Sequence, residues 1–321
     1  MQRLLLLLPI LMGTTLAAAE LRLGLIGLDT SHVTAFTEIL NNPAAKGHVP
    51  GARVVAAFKG GSPDIESSWS RVEEYTKELT TKHGVKVYDS IPELCRNVDA
   101  VLVESVDGRP HLAQARAVIA AGKPLYIDKP LAGTLKDGVE IFRLAAEAKV
   151  PLFTASSLRF ASNTLAVRAG SIGVVTNATT SSPAHLEPHH PDLFWYGIHG
   201  VESLFTVLGP GCVAVKRDTN DTGGIRVTGR WSDGRTGTFS EGKGYNGTAR
   251  GSRGESPVGS YDGYAPLVAE IVRFFQTQVA PVNPTETLEI LAFMEAADES
   301  KRRGGAEVTL AEVLRKAGHR P

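Results

Sequence analysis

From Leu21 onward the chain alternates short, nearly continuous apolar runs with stretches in which apolar residues recur every three or four positions. That alternation predicts a parallel sheet wrapped by helices. The expected strands are LRLGLIG, ARVVAAFKG, VKVYD, DAVLVES, PLYIDKP and PLFTASS. The expected helices between them are Thr34 to Asn41, SSWSRVEEYTKELTTKHG closed by Gly84, the short SIPELCRN, the strongly periodic PHLAQARAVIAAGK, and TLKDGVEIFRLAAEAKV. Near Ser156 the texture changes to strands with few helices, as in VVTNATTSS, GCVAVKRD and GGIRVTGRWSDGRTGTFSEG. Asp233 and Gly234 sit between two alternating runs and signal a hairpin. APLVAEIVRFFQTQV follows as a helix, and TETLEILAFMEAADESKRRG is a last one, capped by Thr285 or Thr287 and ended by Gly304. The pattern therefore predicts a doubly wound α/β domain over 20–156 and an α+β domain with a mostly antiparallel open sheet over 157–321.

Composition narrows the class of ligand. In 321 residues the 34 Lys and Arg balance 34 Asp and Glu, so no net field draws in nucleic acid or an anionic membrane. A small neutral molecule is the expected partner. The first residues stand apart: a basic start at Met1 to Arg3, an apolar run from Leu4 to Met12, and Ala17 to Ala19 before Glu20. This is the layout of a secretory signal peptide cut after Ala19. The apolar run falls short of the ~20 residues that span a bilayer. The expectation is an exported protein, periplasmic or secreted, with no stable membrane anchor. Cys95 and Cys212 are too few for a disulfide framework.

The first strand and its turn read LRLGLIGLDTSHVTAF. A Rossmann turn, G-x-G-x-x-G, uses glycines so that backbone amides at a helix N-terminus approach a pyrophosphate. Here those positions hold Gly27, Asp29 and His32, so a carboxylate stands where phosphate comes closest and an imidazole where helix meets strand. The acidic residue expected after the second strand is replaced by FKGG. Its Lys59 is placed either to neutralise a phosphate or to lie on the solvated surface.

Downstream, GRPHLAQARAVIAAGKPLYIDKPLAGT, YGIHGVESLFTVLG and EAADESKRRG together resemble the Gfo/Idh/MocA family, the glucose-fructose oxidoreductase and inositol dehydrogenase group. The resemblance runs over nearly the whole chain after Ala19 and implies a Rossmann-like domain followed by a substrate and oligomerisation domain. It implies NAD or NADP as cofactor, with Gly27, Asp29, Thr30, Ser31, His32, Lys59, His111 and Asp128 on the cofactor side. The family's E-K-P reads Asp128, Lys129, Pro130, and its later histidine is His199. Lys129 and His199 are thereby the implied catalytic pair, suited to take a proton from a sugar hydroxyl as hydride leaves the same carbon. Trp195 holds the place of the family's aspartate, and Glu202 that of its second aspartate. Arg159 in SSLRF matches an arginine facing the cleft, to bind substrate or to brace the domain interface. A homo-oligomer built on the open face of the second sheet is also implied.

HLEPHHPDLFWYG gathers His185, Glu187, His189, His190 and Asp192. Imidazole and carboxylate suit a metal, but the spacing fits no helix-face pair. The expected role is hydrogen bonding of His189, His190 and Asp192 to a polyol while Phe194, Trp195 and Tyr196 stack on its ring. Two functions follow. One is an NAD(P)-dependent oxidoreductase of a sugar or cyclic polyol. The other is an exported carbohydrate-binding or non-redox sugar-processing protein that has given up the nicotinamide, a reading that export and the altered glycines support; the length of the resemblance and the retained Lys129 and His199 favour the first.

Overall fold

The computed structural model describes residues 20–319, and the signal peptide expected over 1–19 lies outside them. Among the described residues no helix is long and apolar enough to cross a membrane. Six strands, β1 (Leu21–Ile26), β2 (Ala52–Phe58), β3 (Lys86–Val87), β4 (Ala100–Val103), β5 (Leu125–Asp128) and β6 (Leu152–Ala155), form one sheet. Its order is β3-β2-β1-β4-β5-β6 and every pairing is parallel. Strands β4, β5 and β6 are buried at every residue and β1 over its last four, which is why they read as unbroken apolar runs. The order reverses between β1 and β4, so the loops leaving those two strands diverge and open a crevice at their carboxyl ends.

The second sheet contains β7 (Val175–Ser182), β8 (Cys212–Thr219), β9 (Ile225–Trp231), β10 (Thr236–Glu241), β11 (Asn246–Gly251), β12 (Gly254–Pro257) and β13 (Val308–Thr309). Its order is β12-β11-β7-β10-β9-β8-β13, antiparallel except where β10 lies parallel to β7. The hairpin is present, with Gly234 at φ +89°. One face of this sheet packs on the helix Ile198–Leu208, every residue of which is buried.

Local details depart from expectation where a cap or a break is decided by single side chains. The first helix starts at Ser31 rather than Thr34, with Thr30 as N-cap. The helix expected over 67–84 is two, Glu66–Trp69 and Val72–His83, the second closed by Gly84 at φ +67°. The long helix near the end is Pro284–Arg302 and its cap is Asn283, whose Oδ1 accepts from Thr285 N at 2.8 Å; neither Thr285 nor Thr287 is the cap. Strand β13 and the helix Leu310–Lys316 follow it.

The core does not stop at the boundary between 156 and 157. Helix Ala265–Thr277 buries Leu267, Val268, Ile271 and Phe274 against Leu23, Phe36 and Phe153 of the first domain. Phe153 and Phe274 meet edge to face with centroids 4.9 Å apart. The two halves thereby form one body with a cleft between them.

Candidate active site

The cleft lies where the loops after β1 and β5 face the helix Ile198–Leu208, and has a volume of about 420 Å³. Its N-terminal wall holds Thr30, Ser31, His32 and Lys129; its C-terminal wall holds His185, Trp195, Tyr196, His199, Tyr245, Tyr261 and Tyr264. Lys129 and His199, expected from distant parts of the sequence, are thus brought to one cavity. Lys129 is 7% exposed, with Nζ 3.7 Å from Asp128 Oδ2, and its peptide bond to Pro130 is cis.

His199 is held by its helix and by Ser156, whose Oγ lies 2.7 Å from His199 Nδ1 and also accepts from Leu158 N at 3.2 Å. Burial, helped by the nearby Lys129 and His32, pushes the His199 pKa well below the ordinary histidine value. At neutral pH the ring is therefore neutral and able to accept a proton. Around it the aromatic rings form a belt: Tyr196 packs edge-on to His199 at 5.2 Å, Tyr245 at 5.7 Å, and the Tyr245 hydroxyl donates to Tyr196 Oη at 3.1 Å. Tyr245, Tyr261 and Tyr264 come from the Gly-rich segment before helix Ala265–Thr277, where nothing in the periodicity points to a site.

Beneath the floor lies an acidic layer. Glu104, directly after β4, is fully buried, and neither carboxylate oxygen has a hydrogen-bond partner. Burial and the adjacent Asp128 raise its pKa well above the usual carboxylate range. Asp128 is also buried; burial opposes its charge, but His32 and Lys129 outweigh that and hold its pKa low. Its Oδ2 lies 3.0 Å from His32 Nδ1. Asp29 is wholly buried, its carboxylate accepting from Ser68 Oγ at 2.6 Å and Val106 N at 3.0 Å. Glu104 escapes sequence reading because it closes the run VLVES and looks like the end of a strand.

Several expected site residues serve elsewhere. Arg159 and Glu202 do not reach substrate: both are buried and paired with each other, and Arg159 Nη1 also holds Glu286 Oε1 at 2.7 Å. This is the bracing role. Asp192 is taken up by Arg217 at 2.6 Å and Lys301 at 2.7 Å, on the outer side of the second domain. Phe194 is a core residue with no exposed surface. His190 spans from Glu187 Oε2 at 2.7 Å to Asp107 Oδ1 at 3.0 Å, and His189 turns to Glu187 Oε1 at 2.8 Å. Residues 187–190 therefore form a charged strap onto the first domain, while His185 stays in the cleft. His111 is buried between the carbonyls of Ser105 at 2.8 Å and Pro130 at 3.0 Å, locking two loops together. Lys59 pairs with Glu73 at 2.7 Å on the surface. Gly27 has φ +89° and the backbone of Ser105 lies directly over it, 2.5 Å from where a Cβ would be.

Residues 23–156 match the oxidoreductase family Gfo/Idh/MocA through its NAD-binding Rossmann fold. That match lies on the first domain and marks it as a Rossmann unit of the Gfo/Idh/MocA type. It is 35% identical over 143 residues to 1,5-anhydro-D-fructose reductase of Ensifer adhaerens, a match covering 42% of this chain and 43% of the reductase. The chain thus matches less than half the length of the curated relatives. The scyllo-inositol dehydrogenase of Lactobacillus casei, solved with NAD(H) and scyllo-inositol, superposes with a TM-score of 0.71 at 14% identity, covering 91% of this chain and all of that one. The myo-inositol dehydrogenase of the same organism, solved with NAD(H) and myo-inositol, gives a TM-score of 0.71 at 17% identity over 91% and 97% of the two chains. These likenesses establish the two-domain fold.

The family's dinucleotide can be tested against the side chains in its crevice. Between the β1 and β4 loops, Asp29 already consumes the Val106 amide, Ser105 lies on Gly27, and His32 and Glu104 fill the space above β4 and β5. A pyrophosphate there would meet the ionised Asp128 and the buried acid groups of Glu104 and Asp29, whose burial raises their pKa values, while Asp29 already holds the amide a phosphate would use. The crevice as built does not fit that group.

Proposed function

We propose that the cleft acts on a sugar or cyclic polyol, with Lys129 and His199 as the groups that take up and return the proton of a substrate hydroxyl. The observation that carries this reading is the convergence of those two side chains, from separate domains, on one cavity rimmed by Trp195, Tyr196, Tyr245, Tyr261 and Tyr264. Aromatic faces with hydroxyl tips suit a sugar ring, apolar on its face and polar at its edge. The named activities of the relatives, on anhydrofructose and inositols, support the same substrate class.

In the family's terms the reaction would be an oxidation or reduction using NAD or NADP, and the NAD-binding Rossmann match supports it. The acidic layer favours the second reading, non-redox sugar chemistry on the same fold, and the Met1 to Ala19 leader supports its export. Assembly into a homo-oligomer on the outward face of the second sheet belongs to the same proposal. The deciding experiment titrates the purified protein with NAD and NADP and assays sugars and inositols with and without them. We expect no nicotinamide uptake and a turnover that Lys129→Ala lowers by ~10²–10⁴, the worth of a positioned proton carrier, with substrate still bound. Stoichiometric nicotinamide uptake and its reduction by a polyol would restore the redox reading. Unchanged turnover in Lys129→Ala would remove the proposed mechanism.

A further inference from the structure

His32, Glu104 and Asp128 come from three separate segments, the start of the first helix, the end of β4 and the end of β5, and their donor atoms lie within 4.8 Å of one another. His32 Nδ1 is 3.0 Å from Asp128 Oδ2 and 3.9 Å from Glu104 Oε2. None of these atoms has an aligned hydrogen bond: His32 Nδ1, both Glu104 oxygens and Asp128 Oδ2 are all buried without one. A buried carboxylate with nothing to bond is costly, and two of them share this pocket with Lys129 as their nearest lysine.

We propose that these three side chains bind a divalent first-row metal ion, of the zinc or manganese class, in the place that the dinucleotide occupies elsewhere on this fold. Ligand bonds of 2.0–2.2 Å set donors about 3.0–3.5 Å apart around a tetrahedral or octahedral ion; the 3.0 Å between His32 and Asp128 falls in that range, and the 3.9 Å between His32 and Glu104 would close by a few tenths of an ångström on binding. One imidazole nitrogen with two carboxylates is a mixed donor set that suits zinc and manganese better than calcium. The surroundings are those of a supported site. The Tyr126 hydroxyl lies 3.1 Å from Asp128 Oδ1, the oxygen facing away from His32. The His32 ring is stacked on Phe36 at 5.4 Å and edged by Tyr264 at 4.8 Å, fixing where its nitrogen points. Three protein ligands leave coordination positions unfilled, as in catalytic rather than structural metal sites, and His32 is the one of the three that borders the cleft.

The ion accounts for a segment the rest of the mechanism does not use. His32 at the third glycine position is needed to reach β4 and β5, and Glu104 gives an otherwise apolar strand end a ligand. A substrate hydroxyl bound to the ion would lose its proton more easily, passing it to His199 or Lys129 with no change of oxidation state. That last step rests on the polyol reading; the metal site itself does not.

The test uses the purified chain, stripped with a chelator and titrated with Zn²⁺ and with Mn²⁺ by calorimetry, with Mn²⁺ also followed by electron paramagnetic resonance. We expect one equivalent per chain, a raised melting temperature, and nitrogen coupling to bound Mn²⁺. Glu104→Gln and His32→Ala should each weaken binding by at least ~100-fold, the upper range for merely supporting residues, while His189→Ala, an imidazole on the strap, should not. Absence of saturable one-equivalent binding of either ion by the unmodified chain overturns the proposal and leaves Glu104 as a protonated member of a closed cluster. Binding unmoved by both Glu104→Gln and His32→Ala overturns it equally. If either variant fails to fold cooperatively, the nitrogen coupling in the unmodified chain decides. Sugar turnover is scored separately, so loss of the polyol reading leaves these outcomes readable.

Discussion

Asp29 shows how one side chain changes what a familiar turn can do. Glycine at its position would leave the Val106 amide free for a ligand; the carboxylate instead ties that amide and the Ser68 hydroxyl into the protein interior. Asp29→Ala strips both donors of their partner, and leaving buried polar groups unmatched costs ~1–3 kcal/mol each. A urea unfolding curve should register a loss of at least about that size for one such group, and an unchanged midpoint would show that water replaces the carboxylate. At this scale the motifs led to Lys129, His199, Trp195 and Tyr196, which all line the cleft. The motifs also led to Arg159, Glu202 and Asp192, whose charges are used up in pairs. Which acid meets which base across 25 or more residues is set by tertiary packing, and no local pattern encodes it. Glu104 stayed hidden for the same reason: its partners arrive from other strands.

Among the elements, helix Ile198–Leu208 most directly links sequence to site, since it carries His199 and is buried on every side. It presses so closely on the second sheet that a Cβ at Gly200 would lie 2.6 Å from Phe239 Cε2. Hydroxyls from β7 pin it there: Thr180 Oγ1 donates to Gly200 O at 2.8 Å, and Gly200 N donates to Ser182 Oγ at 3.2 Å. Gly200→Ala should push the helix off the sheet, costing ~1–3 kcal/mol as overpacking does, and should move His199 relative to Lys129. Thermal melting and turnover are expected to fall together; a variant with lowered melting temperature and intact turnover would show that His199 position is set by Ser156 instead. Elements whose identity rests on long apolar periodicity were legible: β1, β2, β4, β5 and β6 all lie where their runs predicted. Those decided by single caps or by very short pairings were not, as with the break at Ser70 and Arg71 and the two-residue β13.

For the molecule as a whole, the cleft exists because the halves are fastened on both sides of it. On one side, Phe274 and its helix complete the core of the first sheet. On the other, the 187–190 strap brings His190 to Asp107, which also binds Arg109 at 2.8 Å and Ser62 at 2.6 Å. Burial works against charge on both partners, yet the pairing prevails. His190, facing Asp107 and Glu187, is held above the ordinary histidine pKa, and Asp107, facing His190, Arg109 and Ser62, is held far below the usual carboxylate range. The signs fix a window. A raised histidine contributes stability fully present below its unfolded pKa of ~6.5 and lost as pH rises through the folded value. A depressed aspartate contributes stability present above ~3.9 and lost as pH falls through its folded value. The strap is therefore at full strength from about pH 4 to 6.5. Replacing His190 by Gln keeps hydrogen bonding and removes the charge, so the melting-temperature gap between the two proteins should be widest in that interval and narrow toward alkaline pH. A gap that widened as pH rose would mean the imidazole is neutral in the fold, and the strap would then be a shape contact rather than an ion pair.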